Sequence, residues 1–415
     1  MKKTNNVLIL TSSGGSGLLN AAKAQKQAIL KKDPNSKVII KDILLSDSWN
    51  LIGKFGVNIW NSSQKYGMIF WQKVLGKWKS IAEYLFWPQV FLEVSYLLEK
   101  EKIDRVIDTQ VLSSSATLLA IKRYNKKYKK SIVLEKVIVD IPSYQNTLFF
   151  RPIKKLSLSQ KKALKLISIK PFLENEKTLS EFWQTHCGMD ESSVIYTDFP
   201  IRQGFHGYIG KNKPNLPFEI LLRIPEPFEN KLITDCLKNS LIKHTRTDKD
   251  FLFTIFPKEF LFAIVLGSQP TDQSTIKYIK SYIEIAKSCP EKKIHLFVFS
   301  SSWKSSRSLF QKVHDIAISH SIKNLSVIPF SLQEEDVIAK LFFRADGTIT
   351  RSAGQTVLEL MATCPKKRYI HSEAKPHQSI FDGMPGWEAG GARYIREKFG
   401  AVIVSPDTFS EQFSF

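Results

Sequence analysis

The apolar positions of this chain come in short runs, each followed by small or polar residues and then by a segment of helical character. Val7 to Leu10 is such a run, suited to a buried parallel strand. It leads into Thr11, Ser12, Ser13, Gly14, Gly15, Ser16 and Gly17, after which Asn20 to Leu30 has the alanine, lysine and glutamine content of a good helix. Lys37 to Ile43 reads as a second strand. Arg105 to Asp108 is apolar with a polar end, followed by Ser113, Ser114, Ser115 and a helix to Tyr124. Val137 to Asp140 reads as a further strand ending in an acidic residue, with Pro142 close behind. A second series starts near Phe260. Phe262 to Leu266 leads into Gly267, Ser268 and Gln269; Ile294 to Phe299 into three serines; Leu325 to Ile328 into Pro329 and Phe330; and Gly347 to Ile349 into Arg351, Ser352, Ala353, Gly354 and a helix from Gln355 to Thr363.

Strands alternating with helices predict an α/β protein with parallel sheets, whose ligands sit at the carboxyl ends of the strands. The two series are separated by a polar, proline-bearing stretch near Asp198 to Gly210, which predicts two Rossmann-like domains facing a central cleft. The expected division is 1–205 and 206–415. Residues 206–258 give no topology from their pattern.

The length of 415 residues agrees with two domains of roughly 100–200 residues each. Charge changes the picture more than composition does. Lysine and arginine number 60 against 39 aspartates and glutamates, a formal net charge of +21, which calls for an anionic partner: nucleic acid, a membrane surface or a phosphorylated substrate. No recognised nucleic-acid motif accompanies the charge, so a nucleic-acid partner is not expected. The cysteines, Cys187, Cys236, Cys289 and Cys364, lie too far apart for metal-ligand or redox spacing. The first apolar run is too short for the core of a signal peptide, and no uncharged apolar stretch reaches the roughly 18 residues of a spanning helix.

Between Trp49 and Leu98 lie five of the eight tryptophans, Trp49, Trp60, Trp71, Trp78 and Trp87, with Phe55, Tyr66, Phe70, Tyr84 and Phe86 and five lysines among them. Tryptophan and tyrosine suit a membrane–water interface, and lysine suits anionic lipid. Amphipathic helices packing on the sheet account for the same residues equally well.

Three motifs carry candidate chemistry. Gly14-Gly15-Ser16-Gly17 follows a strand and opens a helix, so its backbone amides can bind an anion or simply turn the chain; it is not a P-loop, because no Gly-Lys-Ser/Thr follows. Thr350 to Thr356 enters a helix N-terminus, a good diphosphate position, and Glu359 one turn later can accept hydrogen bonds from ribose hydroxyls or merely stabilise the helix. Asp140 can act as a general base or cap the turn before Pro142. His186 beside Cys187 offers a nucleophile and a base, but no orienting carboxylate is evident.

Several of these blocks, in this order, resemble one family: the monogalactosyldiacylglycerol synthases and the bacterial processive diacylglycerol glucosyltransferases. The peptidoglycan lipid-intermediate N-acetylglucosaminyltransferase is a more distant relative. VLILTSSGGSGLLNAAKAQ is similar to the family's acceptor-side glycine loop, NIWNSSQKYGMIFW to its aromatic acceptor region and VIVDIP to its strand ending in aspartate. YTDFPIRQGF is similar to its inter-domain strand, IPFSLQEEDVIAKLFFRADGTITRSAGQTVLELMA to its nucleotide-sugar signature, and PGWEAGGARYIREKFGAVI to its Pro-Gly-Gln-Glu-x-Gly-Asn segment. The resemblance implies a GT-B architecture and a hexose moved from a nucleotide diphosphate sugar, a uridine one, to a lipid hydroxyl such as that of diacylglycerol. It implies inversion at the sugar, no metal and no cofactor beyond the co-substrate, and a cytoplasmic protein associated peripherally with a membrane. On the donor side it implies Ser268, Phe330, Arg351, Ser352, Ala353, Gly354, Gln355, Thr356, Glu359, Trp387 and Glu388. On the acceptor side it implies Gly14, Gly15, Gly17, Trp60, Tyr66 and Trp71. The family's first-loop histidine is Leu18 here, a histidine expected near Gln145 is missing, its glutamine is Trp387 and its asparagine is Gly391. Asp140 is then left as the base. The same departures fit a protein or soluble acceptor, or an inactive relative that docks on membranes.

Overall fold

The computed structural model describes all residues except 1–4, 13–15, 45–49, 113, 199–200, 239, 248, 302, 321 and 353. Trp49, Gly14, Gly15, Ser113 and Ala353 therefore lie outside the described residues. The first half runs β1 (Asn6–Thr11), α1 (Ser16–Lys32), β2 (Lys37–Asp42), α2 (Asn50–Lys65), α3 (Ile69–Lys100), β3 (Arg105–Asp108), α4 (Ser114–Tyr128), β4 (Leu134–Val137), α5 (Thr147–Lys154), α6 (Leu158–Lys162), β5 (Leu164–Ser168), α7 (Leu179–Cys187) and β6 (Val194–Tyr196). The second runs β7 (Phe218–Arg223), α8 (Pro227–Leu237), β8 (Lys243–Arg246), β9 (Asp250–Ile255), β10 (Phe260–Val265), α9 (Asp272–Ser288), β11 (Ile294–Phe299) and α10 (Trp303–Ser319). It continues with β12 (Leu325–Phe330), α11 (Glu335–Arg344), β13 (Gly347–Thr350), α12 (Gly354–Thr363), β14 (Lys367–His371), α13 (Gly386–Phe399), β15 (Val402–Val404) and α14 (Phe409–Gln412).

Each half carries a six-stranded parallel sheet, in the order β2-β1-β3-β4-β5-β6 in the first and β12-β11-β10-β13-β14-β15 in the second. Both are doubly wound, so each has a crevice where the strand order reverses, between β1 and β3 and between β10 and β13. Two such sheets facing each other form the GT-B architecture. The strands read as continuous apolar runs because helices cover both faces; every residue of β11 and β12 is buried. Pro329 fits inside β12 because that strand is the edge of its sheet.

Two expectations are corrected and one open stretch is filled. The strand read as Val137 to Asp140 is β4, Leu134–Val137, and Asp140 lies beyond its end. Glu135 and Lys136 hid the strand, because a charged pair does not read as a buried run. The inter-domain block contains only the end of a strand, at Tyr196. Its remaining described residues form linker and a tight 3-10 turn over Gln203–Tyr208. Residues 206–258 hold a three-stranded antiparallel sheet, β7-β9-β8, with α8 between its first two strands in sequence.

The tryptophan-rich segment divides along its length. Phe86, Val90, Val94 and Leu98, one helical turn apart along α3, are buried in the first core, and the Trp87 indole N–H donates to Ser115 Oγ at 3.0 Å. Nearer the start of α3, Phe70 is 70% and Tyr84 83% exposed. The core-packing account therefore holds for one face of the end of α3, whose opposite face exposes Leu92 and Tyr96, and not for Phe70, Trp71 or Tyr84. Among the described residues no helix is long and apolar enough to cross a membrane.

Lys136 on β4 is fully buried and donates to Asp108 Oδ2 at 2.7 Å and to the backbone carbonyl of Gln110. Burial pushes the Asp108 carboxyl upward, against the pull of Lys136. Removing one member of such a pair strands the other charge, whereas replacing both with apolar groups does not. Lys136→Met should cost about 3–5 kcal/mol of unfolding free energy, and Lys136→Met with Asp108→Leu should recover most of it in denaturant titrations.

Candidate functional site

The crevice of the second sheet lies where β10 runs into Leu266-Gly267-Ser268 and β13 runs into Arg351-Ser352. Here α12 begins at Gly354, whose φ of +74° suits a residue without a Cβ. Arg351 is clamped by Glu388 of α13, Nε to Oε2 at 3.0 Å and Nη2 to Oε1 at 2.7 Å, and Nη2 also reaches Gln72 of α3 at 3.3 Å. Ser352 Oγ donates to the Glu388 carbonyl at 2.7 Å. Ser268 takes part through its backbone carbonyl, which accepts from Ser301 Oγ at 2.8 Å. Gln355 is buried and its amide donates to Glu359 Oε1 at 3.3 Å; Thr356 is half-buried.

Glu359, expected to hold ribose hydroxyls, has another partner. Its carboxylate is fully buried and receives Arg202 Nε at 2.8 Å, Arg202 Nη2 at 2.6 Å and the Arg202 backbone N–H at 3.3 Å. Arg202 belongs to the linker between the two sheets, so this bidentate pair joins the linker to α12. Beside it lies a cavity of about 690 Å³, whose lining includes Tyr196, Asp198 and Ile201 from the linker side and Leu358 and Met361 from α12.

The first half meets this site through the ends of its strands. Asp140 Oδ1 accepts the Gly354 N–H at 3.0 Å, so a side chain from beyond β4 caps a helix of the other domain. Gly17 packs on the same spot: a Cβ there would lie 3.4 Å from the Gly354 Cα. Trp60 stacks on Trp387, with centroids 5.9 Å apart and planes at 26°. Among the described residues here, Trp60 Nε1, Ser143 Oγ and Gln145 Oε1 are buried without a hydrogen-bond partner. Ser143 lies against Gly390 and Gln145 against Gly386 and Gly390. Arg393 of α13 ties the same loop region, donating to Tyr144 Oη at 3.2 Å and Glu174 Oε2 at 3.0 Å.

Some expected residues are elsewhere. The Phe330 ring is in the core against Phe299, not in the cleft, because β12 ends with that side chain turned inward. Tyr66 and Trp71 face solvent, at 65% and 54% exposure. His186 does have a carboxylate partner, Glu176, which the sequence did not reveal. Cys187 is buried in the first core and burial pushes its thiol upward, so the pair is no nucleophilic centre. The sequence also gave no sign of Gln72, Ser143 or Arg393, whose roles depend on contacts between distant segments.

A second cluster lies where α9 meets the α2–α3 turn. His371 links Tyr278 Oη, 2.9 Å from Nδ1, to Glu373 Oε1, 3.0 Å from Nε2, and Ser274 Oγ donates to Glu373 Oε2 at 2.6 Å. Gly67, at φ +60°, rests on Thr271 and Glu373. Burial pushes the Glu373 carboxyl up, but the His371 charge and hydrogen bonds from His371, Ser274 and Thr271 outweigh it and hold the group at about 2.

No family model matches the sequence, and no curated protein does so. Solved structures that are similar over nearly the whole chain include Acinetobacter baumannii MurG, at 12% identity and TM-score 0.43, covering 99% of this chain and 88% of that one. The UDP-GlcNAc 2-epimerase of Methanocaldococcus jannaschii is similar at 10% identity and TM-score 0.46, covering 99% and 90%. That of Neisseria meningitidis, bound to UDP-GlcNAc, is similar at 12% and 0.45, covering 94% and 91%. The architecture is assigned from the strand orders, independently of these likenesses.

Two outcomes follow from the packing and the charge. A Cβ on Gly391 would lie 2.7 Å from the backbone oxygen of Ser352, which cannot swing away. Gly391→Ala should therefore lower unfolding free energy by about 1–3 kcal/mol, measured by denaturant titration. A depressed carboxyl such as Glu373 contributes stability above its unfolded value of 4.5, lost as pH falls towards about 2. The Tm of Glu373→Gln should accordingly fall less steeply than the parent's between those two pH values.

Proposed function

We propose that this chain transfers a sugar from a nucleotide diphosphate donor, a uridine one, to a lipid hydroxyl at a membrane face. One observation carries the reading. Across a single cleft, the N-terminus of α12, at the switch point of one sheet, meets the Asp140 carboxylate from the strand ends of the other. The first is suited to a diphosphate and the second to the proton of an acceptor hydroxyl. In this reading Asp140 takes that proton, the acceptor oxygen displaces the diphosphate at the anomeric carbon with inversion, and the leaving charge is met by the α12 amides and Arg351. The Trp60–Trp387 pair with the unpartnered Trp60 Nε1, Ser143 Oγ and Gln145 Oε1 has the make-up of a sugar site: apolar ring faces bordered by hydrogen-bonding groups. The exposed Tyr66, Met68, Phe70, Trp71, Tyr84 and Leu85, with Lys65 and Lys73 among them, support a membrane face.

A second reading is favoured by the partners already present in the cleft. Arg351 is held by Glu388, Glu359 by Arg202 and Gly354 by Asp140, as in a relative that keeps the fold and docks on membranes without turnover.

Incubation with uridine diphosphate sugars, with and without vesicles containing diacylglycerol and anionic lipid, separates the two. Transfer predicts uridine diphosphate release that needs the lipid, and a loss of about 10²–10⁴-fold in turnover for Asp140→Asn with folding intact. Phe70→Ser with Trp71→Ser should weaken vesicle co-sedimentation without altering stability. Release under no condition, with vesicle binding retained, supports the second reading.

A further inference from the structure

Two groups on which a donor diphosphate would depend, the Gly354 N–H and the Arg351 guanidinium, have partners from within the chain. The Gly354 N–H, at the first turn of α12, is taken at 3.0 Å by Asp140 Oδ1, from a residue 214 positions earlier in the other domain. Gly17 closes over the same point with only glycine-to-glycine clearance, 3.4 Å from an added Cβ to the Gly354 Cα. The neighbouring cation, Arg351, is neutralised by both oxygens of Glu388. One turn further along, α12 is gripped again by Arg202. A carboxylate at a helix N-terminus gains from the same amide hydrogen bonds and the same dipole that favour a phosphate there, so the two anions compete for one position.

We propose that Asp140 is a built-in stopper of the cleft. Without donor, its carboxylate holds the α12 N-terminus as an internal anion and keeps the two domains closed on each other. An entering diphosphate takes that position and displaces Asp140, which is then released towards the acceptor side. The inference rests on the sugar-transfer reading for the identity of the incoming anion, and it adds an order of events. The base becomes available only after the donor has arrived, so an acceptor hydroxyl or a water molecule meets no free base beforehand. It also has a consequence opposite to that of an ordinary binding residue. Removing Asp140 lowers turnover yet strengthens binding of the donor's diphosphate, because a competitor has been taken away.

The test is calorimetric titration of the full chain with uridine diphosphate, inorganic pyrophosphate and uridine, using the parent, Asp140→Ala and Asp140→Asn. Asp140→Ala should bind pyrophosphate and uridine diphosphate about two- to thirtyfold more tightly than the parent, the range set by the worth of a helix cap. Uridine, which carries no phosphate, should bind all three proteins alike. Asp140→Asn keeps the volume and a capping oxygen but loses the charge, so it should show a smaller tightening of the same sign; it also serves as the informative variant if the alanine form does not fold. Equal affinity of a folded variant and the parent for both phosphate probes overturns the stopper and leaves the donor reading standing. Tighter pyrophosphate binding with no uridine diphosphate bound by any form supports the stopper and removes the nucleotide reading. Failure of every form to bind either probe overturns both.

Discussion

The buried pair between Arg202 and Glu359 is the contact on which the arrangement of the two halves depends. Taking both groups out of water is expensive, and the cost is offset only because the geometry is bidentate and the remaining acceptor capacity is used. The Arg202 backbone N–H and the Gln355 amide do that here. The arginine lies in the linker that leaves the first sheet, and the glutamate lies on the helix that leaves the switch point of the second. Joining them fixes where α12 begins relative to the strand ends opposite. The Asp140–Gly354 hydrogen bond, the Gly17–Gly354 approach and the Trp60–Trp387 stack all cross between the halves and share that placement.

Within this frame the departures from the resembled family's pattern form a set. With a side chain at Gly391, α13 could not approach the Ser352 carbonyl as closely as it does, and with one at Gly390 it would strike Ser143. The close approach brings Trp387, where the family has a glutamine, on to Trp60. Leu18, in the place of a histidine, packs partly buried against the first core, and only its backbone oxygen is used, by Thr109 Oγ1 at 3.3 Å. One domain face presents aromatic and glycine surface, Trp387 with Gly390 and Gly391, and the other supplies the matching ring of Trp60 and the polar loop at Ser143.

Much of the fold was legible in the sequence, because parallel strands buried on both faces announce themselves as apolar runs. Where the rule failed, the cause is specific. Lys136 interrupts β4 with a charge that Asp108, on the neighbouring strand, and the Gln110 carbonyl make tolerable. In the small antiparallel sheet, β8 is exposed at every residue and so carries no apolar signal. For the candidate site, the loops at the switch points were legible as small residues entering helices. The partners of their side chains were not. That Glu359 faces Arg202, or that Asp140 faces Gly354, is a matter of domain placement, and no local pattern encodes it. Phe330 misled for a related reason: its position at a strand end was right, but the direction of its ring is set by packing against Phe299.

Helix α3 has 32 residues, about 48 Å at the usual rise, and its two ends belong to different surroundings. From Phe86 onward one face is rooted in the first core, with Tyr96 exposed on the other; before that Phe70, Trp71 and Tyr84 are exposed. Pro88 sits at the change, where it removes one backbone hydrogen bond from the helix, and Trp87 beside it is bonded to the start of α4. The helix is thus a lever with a softened pivot. Its first part also carries Gln72, which is buried, donates to the Ser63 carbonyl and touches Arg351 in the second domain. One element therefore joins the exposed rings, the first core and a side chain at the mouth of the cleft.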